Sequence, residues 1–283
     1  MKSIVTNSKI GDVLDQRGVA RVPFSEPSFI DSLKECFDQI HPVWNETMNT
    51  GYYFSIYGDG SDYRKQIFEV FYPILKNQLD DIFSDYKVLA IIAQVKGVGA
   101  NSSVNIHQDL TVVDESKYKS YTLWIPLQDS TEKNGAISFL EGSHKVFRSI
   151  RAHTIDYLFG NAESNIYENS KQYQIAKGEA LIFDAATIHF SGPNISEKPR
   201  ISIAVSIVAK EAETQIFHYD RFKPFDGSLD RYTVPENFWQ LYEDFSTERS
   251  APPSFGLKTG VAHGARVLPY SKEDFIRLCD KVI

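Results

Sequence analysis

The period of the apolar residues changes near residue 87, and that change constrains the fold more than any other feature of the chain. Before it the spacing is helical. FIDSLKECFDQI (29–40) places Phe29, Leu33, Phe37 and Ile40 on one face. Residues 64–83 carry a broad apolar face of Ile67, Val70, Phe71, Ile74, Leu75, Leu79, Ile82 and Phe83, with Pro73 expected to kink or split the helix. After it the apolar residues come in short strand-length runs. VLAIIAQV (88–95) is nearly all apolar, as in a strand covered on both faces. SVNIHQD (103–109), SYTLWIPLQ (120–128), AISFLEG (136–142), EALIFDA (179–185), TIHFSG (187–192) and RISIAVSIVA (200–209) follow, with a turn signal at Asn134-Gly135. Many short strands separated by turns predict a sandwich or barrel, so the fold class is mainly β with flanking helices. Residues 146–172 are polar and rich in Asn, Ser and Tyr, and are expected to cover the mouth of that core. Residues 211–269 hold aromatics and prolines without a clear period. SKEDFIRLCDKV (271–282) reads as a helix with Ser271 as its N-cap and Asp274 three residues on.

No repeat, low-complexity tract or polar linker divides the 283 residues. A single domain is expected, with a helical part at about 1–86, a β core at about 87–210 and an irregular segment with a terminal helix at 211–283. The 42% hydrophobic and 24% charged content is that of a globular protein. A net charge of -7 argues against nucleic acid as a partner. No apolar run approaches the ~18 residues of a membrane span. MKSIVTNSKIGDVLDQRG lacks the apolar stretch of a signal peptide. Cys36 and Cys279 form neither a disulfide framework nor a metal motif and are expected to be buried free thiols. These features together predict a cytoplasmic protein that acts on a small molecule, with no nucleic acid and no membrane as partner. Oligomeric state is not legible in them.

His107-Gln108-Asp109 is the first group that points to chemistry. On a strand, residues i and i+2 face the same side, so an imidazole and a carboxylate converge while Gln108 faces away. Two histidines and one carboxylate on one face of a metal form the donor set of mononuclear Fe(II) oxygenases, and they leave coordination positions open. His189, in TIHFSG, is the best third donor. Arg200 follows eleven residues later and opens a cleanly alternating strand. Ile201, Ile203, Val205 and Ile207 share one face; Arg200, Ser202, Ala204 and Ser206 share the other. An arginine heading a small, polar interior face calls for an anion, and its planar fork matches a carboxylate.

With these residues in place, the stretch from about Val88 to Lys210 resembles the phytanoyl-CoA dioxygenase family of Fe(II)/2-oxoglutarate oxygenases. HQD, LWIPLQDSTEKNGAISFLEGSHK, KGEALIFDAATIHFSGPN and PRISIAV carry the resemblance. It implies a double-stranded β-helix, a distorted jelly roll related to the cupins. It implies Fe(II) held by His107, Asp109 and His189, and 2-oxoglutarate held by Arg200, with Trp124 and Ser191 as further contacts. Ser202 is assigned as a helper to Arg200 from strand parity. The implied reaction is hydroxylation of an unactivated C–H bond of a small metabolite, amino-acid-derived or a natural-product intermediate. 2-Oxoglutarate and O2 become succinate and CO2. Asp109 favours hydroxylation over halogenation, since related halogenases carry Gly or Ala there.

Desaturation, cyclisation and a CoA- or carrier-bound substrate use the same set of residues. A cupin-like metal protein without oxygenase activity is the reading of a different class, and Arg200 argues against it. Lys145, Arg148, Arg151 and Lys171 are the basic residues expected near the mouth. His144, in GSHK, is expected to be structural, and Asp184 to serve its turn through backbone hydrogen bonds. His41, His153, His218 and His263 have no partner at metal spacing, and HQD makes Glu141 superfluous as a ligand. The tyrosine-rich 50–64 segment reads equally as a lid or pocket wall and as an ordinary aromatic-rich loop; for residues 218–222 a reach to the mouth is the lesser of two readings, the other being a loop away from it. The roles of Tyr118 and Tyr121 stay open.

Overall fold

Strand parity organises the molecule. The computed structural model describes residues 3–40, 51–57, 60–222 and 224–281. Its strands are β1 (Val19–Pro23), β2 (Tyr52–Phe54), β3 (Tyr86–Lys96), β4 (Val104–His107), β5 (Ser120–Pro126), β6 (Ile137–Phe139), β7 (Lys171–Tyr173), β8 (Glu179–Asp184), β9 (His189–Ser191), β10 (Arg200–Ala209), β11 (Gln215–His218), β12 (Ser228–Thr233) and β13 (Leu257–His263). The larger sheet runs β1-β8-β5-β10-β3-β2 and the smaller β4-β9-β6-β7. Every pairing between these strands is antiparallel. The two sheets face each other as a jelly roll. Val19, Trp124, Leu181, Phe183 and Ala204 of the larger sheet pack with Ile137, Phe139 and Tyr173 of the smaller.

The residues between them in sequence point the other way. Ala20, Val22, Ala93, Val95, Leu123, Ile125, Ile182, Ile203 and Val205 pack under the helices. These are α1 (Ser8–Arg17), α2 (Pro27–Ile40) and α3 (Gly60–Ile82), which contribute Leu14, Ile30, Leu33, Phe37, Ile67, Phe71, Leu75 and Leu79. Each such side chain, fully buried, stabilises the fold by about 2 kcal/mol before conformational entropy is counted. A sheet covered on both faces explains why VLAIIAQV is nearly all apolar.

Four expectations change. Pro73 does not split α3, which runs unbroken through it. Pro73 and Glu69 are both exposed, so the turn that lacks the Pro73 N–H faces solvent and not the core. The N-terminal part is not only helical, because β1 and β2 form the two edges of the larger sheet. The irregular C-terminal segment contains a third sheet, β11-β12-β13. Most apolar residues of 146–172 pack on the outside of the smaller sheet, and His153 alone of this stretch lines the cavity between the sheets. Phe147, Leu158, Phe159 and Ile166, with α4 (Glu163–Asn169), build a satellite core against Tyr270 and Phe275. Phe275 lies on the terminal helix (Lys272–Cys279), whose Ser271 Oγ caps the Asp274 N–H at 3.0 Å as expected. Cys36 and Cys279 are free and half-buried. No helix among the described residues is long and apolar enough to cross a membrane.

Candidate active site and metal centre

His107 ends β4 and His189 begins β9, and the two are register partners across the smaller sheet. Their ring centroids are 4.1 Å apart. His107 Nδ1 lies 2.8 Å from the Asn105 carbonyl and His189 Nδ1 lies 2.9 Å from the Thr187 carbonyl. A carbonyl only accepts, so each Nδ1 carries the proton and each Nε2 presents a lone pair. Asp109 Oδ1 lies 4.0 Å from His107 Nε2 and 3.9 Å from His189 Nε2. The other oxygen, Oδ2, accepts a 2.6 Å hydrogen bond from Thr122 Oγ1 on β5. The three residues offer one ligand atom each, all within 4.8 Å of one another. Burial first, then the neighbouring His107 imidazole, holds His189 well below the ordinary imidazole range, so it stays a neutral donor.

The route to this convergence differs from simple strand parity. β4 stops at His107, and Asp109 lies beyond it. Asp109 is fixed instead by its N–H, which donates to the Ala185 carbonyl at 2.9 Å, and by its carbonyl, which accepts from Arg151 Nε at 2.8 Å. The Gln108 side chain is tied to the Phe147 and Ala186 carbonyls. Phe139 and Phe183 pack their rings against His189 at 5.6 and 4.8 Å.

These donors open on a cavity of about 430 Å3 between the sheets. Trp124 and Ser191 line it; Arg200 and Ser202 stand behind its lining. Arg200 is 1% exposed, stacks over Trp124 at 5.0 Å, donates to the Gly135 carbonyl and interacts with the Tyr52 hydroxyl. Its Nε has no partner among the described residues. Gly135, in the expected turn, has φ +76° and comes so close to Gly192 that a Cβ would meet its carbonyl. Ser202 Oγ donates to Gln94 Oε1 at 3.1 Å, and the same oxygen accepts from Trp124 Nε1 and the Tyr52 hydroxyl, each at 3.1 Å. The indole N–H only donates, which fixes the orientation of the Gln94 amide. Lys96 sits opposite Arg200 in the β3–β10 register and is fully buried. It donates to the Gly192 and Ser102 carbonyls. Burial, then the facing Arg200, pushes its amine down to about 6.

Several sequence expectations land elsewhere. Arg148 and Arg151 are not an exposed basic patch, because they pair with Asp184 and Glu115. Lys171 pairs with Glu141 at 3.6 Å, and Lys145 is exposed. Residues 218–222 do not line the cavity. His218 faces a small neighbouring recess, and Tyr219 and Arg221 bond to Thr154. Asp184 does serve its turn, accepting the Ala186 N–H at 2.9 Å, in addition to the Arg148 pair. His144 is 4% exposed, away from the cavity. Tyr52, Phe54, Ile56 and Tyr57 form a cavity wall, whereas Tyr53 packs into the helix-side core. Tyr121 lines the cavity and Tyr118 does not. His41, with Thr50, Gly58 and Asp59 of the 50–64 segment, lies outside the described residues.

The residues that sequence reasoning missed are Gln94, Lys96, Thr122, Arg151, His153, Trp239 and Phe245. Gln94 and Lys96 were hidden at the end of an apolar run. Thr122 shares strand parity with Trp124, but a threonine in a strand-like run carries no signal of its own. Trp239 and Phe245 come from a stretch without periodicity.

A family model, phytanoyl-CoA dioxygenase (PhyH), matches residues 60–202. Among curated proteins, the Dictyostelium discoideum phytanoyl-CoA dioxygenase domain-containing protein 1 homolog is 30% identical over 109 residues, 34% of this chain and 37% of that protein. The Caenorhabditis elegans homolog is 27% identical over 120 residues, 38% of this chain and 42% of that protein. The match thus spans less than half the length of these relatives. EvdO2 from Micromonospora carbonacea var. aurantiaca, complexed with 2-oxoglutarate, superposes with TM-score 0.51 at 17% identity, over 74% of this chain and 94% of that one. HygX from Streptomyces hygroscopicus, with nickel and 2-oxoglutarate bound, superposes with TM-score 0.52 at 15% identity, over 72% and 87%. These likenesses establish the shared fold. The family match runs through half of the chain, from the start of α3 into β10, and on that ground the chain belongs to the phytanoyl-CoA dioxygenase family.

Proposed function

We propose that this chain is a cytoplasmic Fe(II)/2-oxoglutarate-dependent dioxygenase that hydroxylates an unactivated C–H bond of a small metabolite. The observation that carries the reading is the cluster of His107, Asp109 and His189. Its donor set fits iron: two neutral imidazole nitrogens and one carboxylate oxygen. The separations of 3.9 and 4.0 Å from the carboxylate to the two imidazoles are within twice the ~2.1 Å of a metal–nitrogen or metal–oxygen bond. The buried end of the cavity fits a dicarboxylate, because the Arg200 guanidinium stands behind it and its Nε has no partner among the described residues. Bound iron and 2-oxoglutarate would supply the oxidising power, with O2 consumed and succinate and CO2 released.

The chain's own residues do the positioning. The Asn105 and Thr187 carbonyls hold both imidazoles with Nε2 forward. Thr122 holds one carboxylate oxygen so that the other faces the histidines. Arg200 holds the distal carboxylate of the cosubstrate, with Trp124 as its platform and Ser191 as a hydroxyl contact. Ser202 acts through Gln94. Phe139 and Phe183 keep water from His189. Asp109 occupies the position that a halogenase leaves to halide, which supports hydroxylation.

Anaerobic titration with Fe(II) and then 2-oxoglutarate tests the reading. A visible charge-transfer band is expected in the wild type and not in Asp109→Ala. Arg200→Ala is expected to raise the 2-oxoglutarate needed by about 100-fold with iron affinity kept. A folded wild type that binds iron yet gives no band refutes the oxygenase assignment.

A further inference from the structure

The cavity changes character along its length. Arg200 and Lys96 stand behind one end, both buried. At the other, Tyr57 is 41% exposed and marks the rim. Between them six rings touch in sequence. Tyr52 and Phe54 are 4.5 Å apart, Phe54 and Tyr57 5.5 Å, and Tyr57 and Phe245 5.3 Å. Phe245 then meets Trp239 at 5.4 Å and His153 at 5.1 Å. All six line the cavity, though they come from three separate stretches of chain.

Charge is missing from the same surface. Among the described residues no Lys, Arg or Glu lines the cavity, and its one carboxylate, Asp109, belongs to the metal cluster. His153 adds no charge, since burial, then Arg249, pushes it down to about 3. A charged group carried inside would lose its hydration and find no partner. Aromatic faces do attract cations, but the Arg249 guanidinium already lies over Tyr57 at 5.0 Å and repels a second one at the rim.

We propose that this outer half binds an uncharged, ring-bearing small molecule, with Tyr57, His153, Trp239 and Phe245 as the wall that sets specificity. Flat rings bury large area against such a wall at little entropic cost. Free amino acids are excluded from it, and an anion can meet only Arg249 at the rim, outside the ring-lined wall. The inference rests on the oxygenase reading for the bond that is oxidised, and on the cavity alone for what binds.

Calorimetric titration of the anaerobic Fe(II)–2-oxoglutarate protein tests it. The probes are 2-naphthol and 9-fluorenone as uncharged rings, and L-leucine and acetyl-CoA as charged ligands. Both ring probes are expected to bind and the charged ligands not to. Trp239→Ala is expected to weaken ring binding at least 10-fold, and Trp239→Phe by less than 3-fold. Tyr57→Ala, at the exposed rim, serves if the Trp239 variant fails to fold, with the same loss expected. Absence of ring binding, equal binding by L-leucine or acetyl-CoA, or ring affinity unchanged in these variants overturns the proposal. Succinate release in air separates the two readings. Ring binding by a folded, iron-binding protein that gives neither a charge-transfer band with 2-oxoglutarate nor succinate leaves the wall standing and removes the oxygenase. Succinate stimulated by L-leucine without ring binding does the reverse.

Discussion

At Asp109 the two carboxylate oxygens have different neighbours, and the difference is set from β5. Thr122 Oγ1 donates to Oδ2 at 2.6 Å, which leaves Oδ1 facing both histidines. Such outer partners typically contribute 10–100-fold to metal affinity or activity. Thr122→Val keeps the shape and removes the donor, so Fe(II) affinity is expected to fall by about that factor. Competition with a colorimetric chelator measures it, and an unchanged affinity would mean that the Arg151 and Ala185 contacts alone orient Asp109. The histidines and Asp109 were legible because each is a polar residue interrupting a strand-like run. Thr122 was not, because a threonine in SYTLWIPLQ looks like an ordinary strand former. Lys96 was hidden for the opposite reason. A lysine at a strand end reads as solvated, yet here it is fully buried, with backbone carbonyls and not carboxylates as its partners.

Between residue and domain, the turn from β8 to β9 decides where His189 starts. Asp184 N–H and Thr187 Oγ1 both donate to the Gly18 carbonyl at 2.9 Å. Gly18 itself ends α1 at φ +79°, and a Cβ there would collide with Thr187 and His144. His144 therefore wedges the α1–β1 junction against this turn. Burial first, opposed by Asp184 and then aided by Arg148, pushes it down to about 4 from 6.5. A folded pKa below the unfolded one means the unfolded chain binds the proton more tightly. Stability from this group is present above about pH 6.5 and is lost as pH falls toward 4, by on the order of 3 kcal/mol. Urea unfolding at pH 7 and pH 5 is expected to show about 2 kcal/mol of that loss in the wild type and a smaller one in His144→Gln. Equal slopes in the two proteins would show that His144 is not the titrating wedge. The expected strands all lie on elements whose two faces differ or are both covered. β13 escaped notice because it is exposed along nearly its whole length, so no apolar face encodes it. β2 and β7, three residues each, lie in tyrosine-rich or polar stretches with no longer apolar run around them.

Across the whole molecule, the three stretches distinguished by composition are stitched into each other. Arg64 on α3 is 5% exposed and donates from Nε to the Trp239 carbonyl at 2.9 Å and from Nη2 to the Tyr242 carbonyl. Without the C-terminal segment that guanidinium would be left unpaired. Gln215 N–H donates to the Val112 carbonyl at 2.9 Å, and Lys87 pairs with Glu236 at 2.8 Å. At the opposite side Phe275 stacks on Phe147 at 4.8 Å, and Tyr270 N–H donates to the Leu158 carbonyl at 2.9 Å. Residues 211–283 therefore complete a cavity wall through Trp239 and Phe245 and close two cores that begin elsewhere. We accordingly expect the chain to melt as one domain. Calorimetry of the metal-free protein should give a single transition whose calorimetric and van't Hoff enthalpies agree. A separate low-temperature transition would mean that the C-terminal segment unfolds alone, taking Trp239 and Phe245 with it. The metal cluster lies wholly within the part that remained, so the charge-transfer band would then outlast the loss of ring binding on heating. Under a single transition the two signals must disappear together.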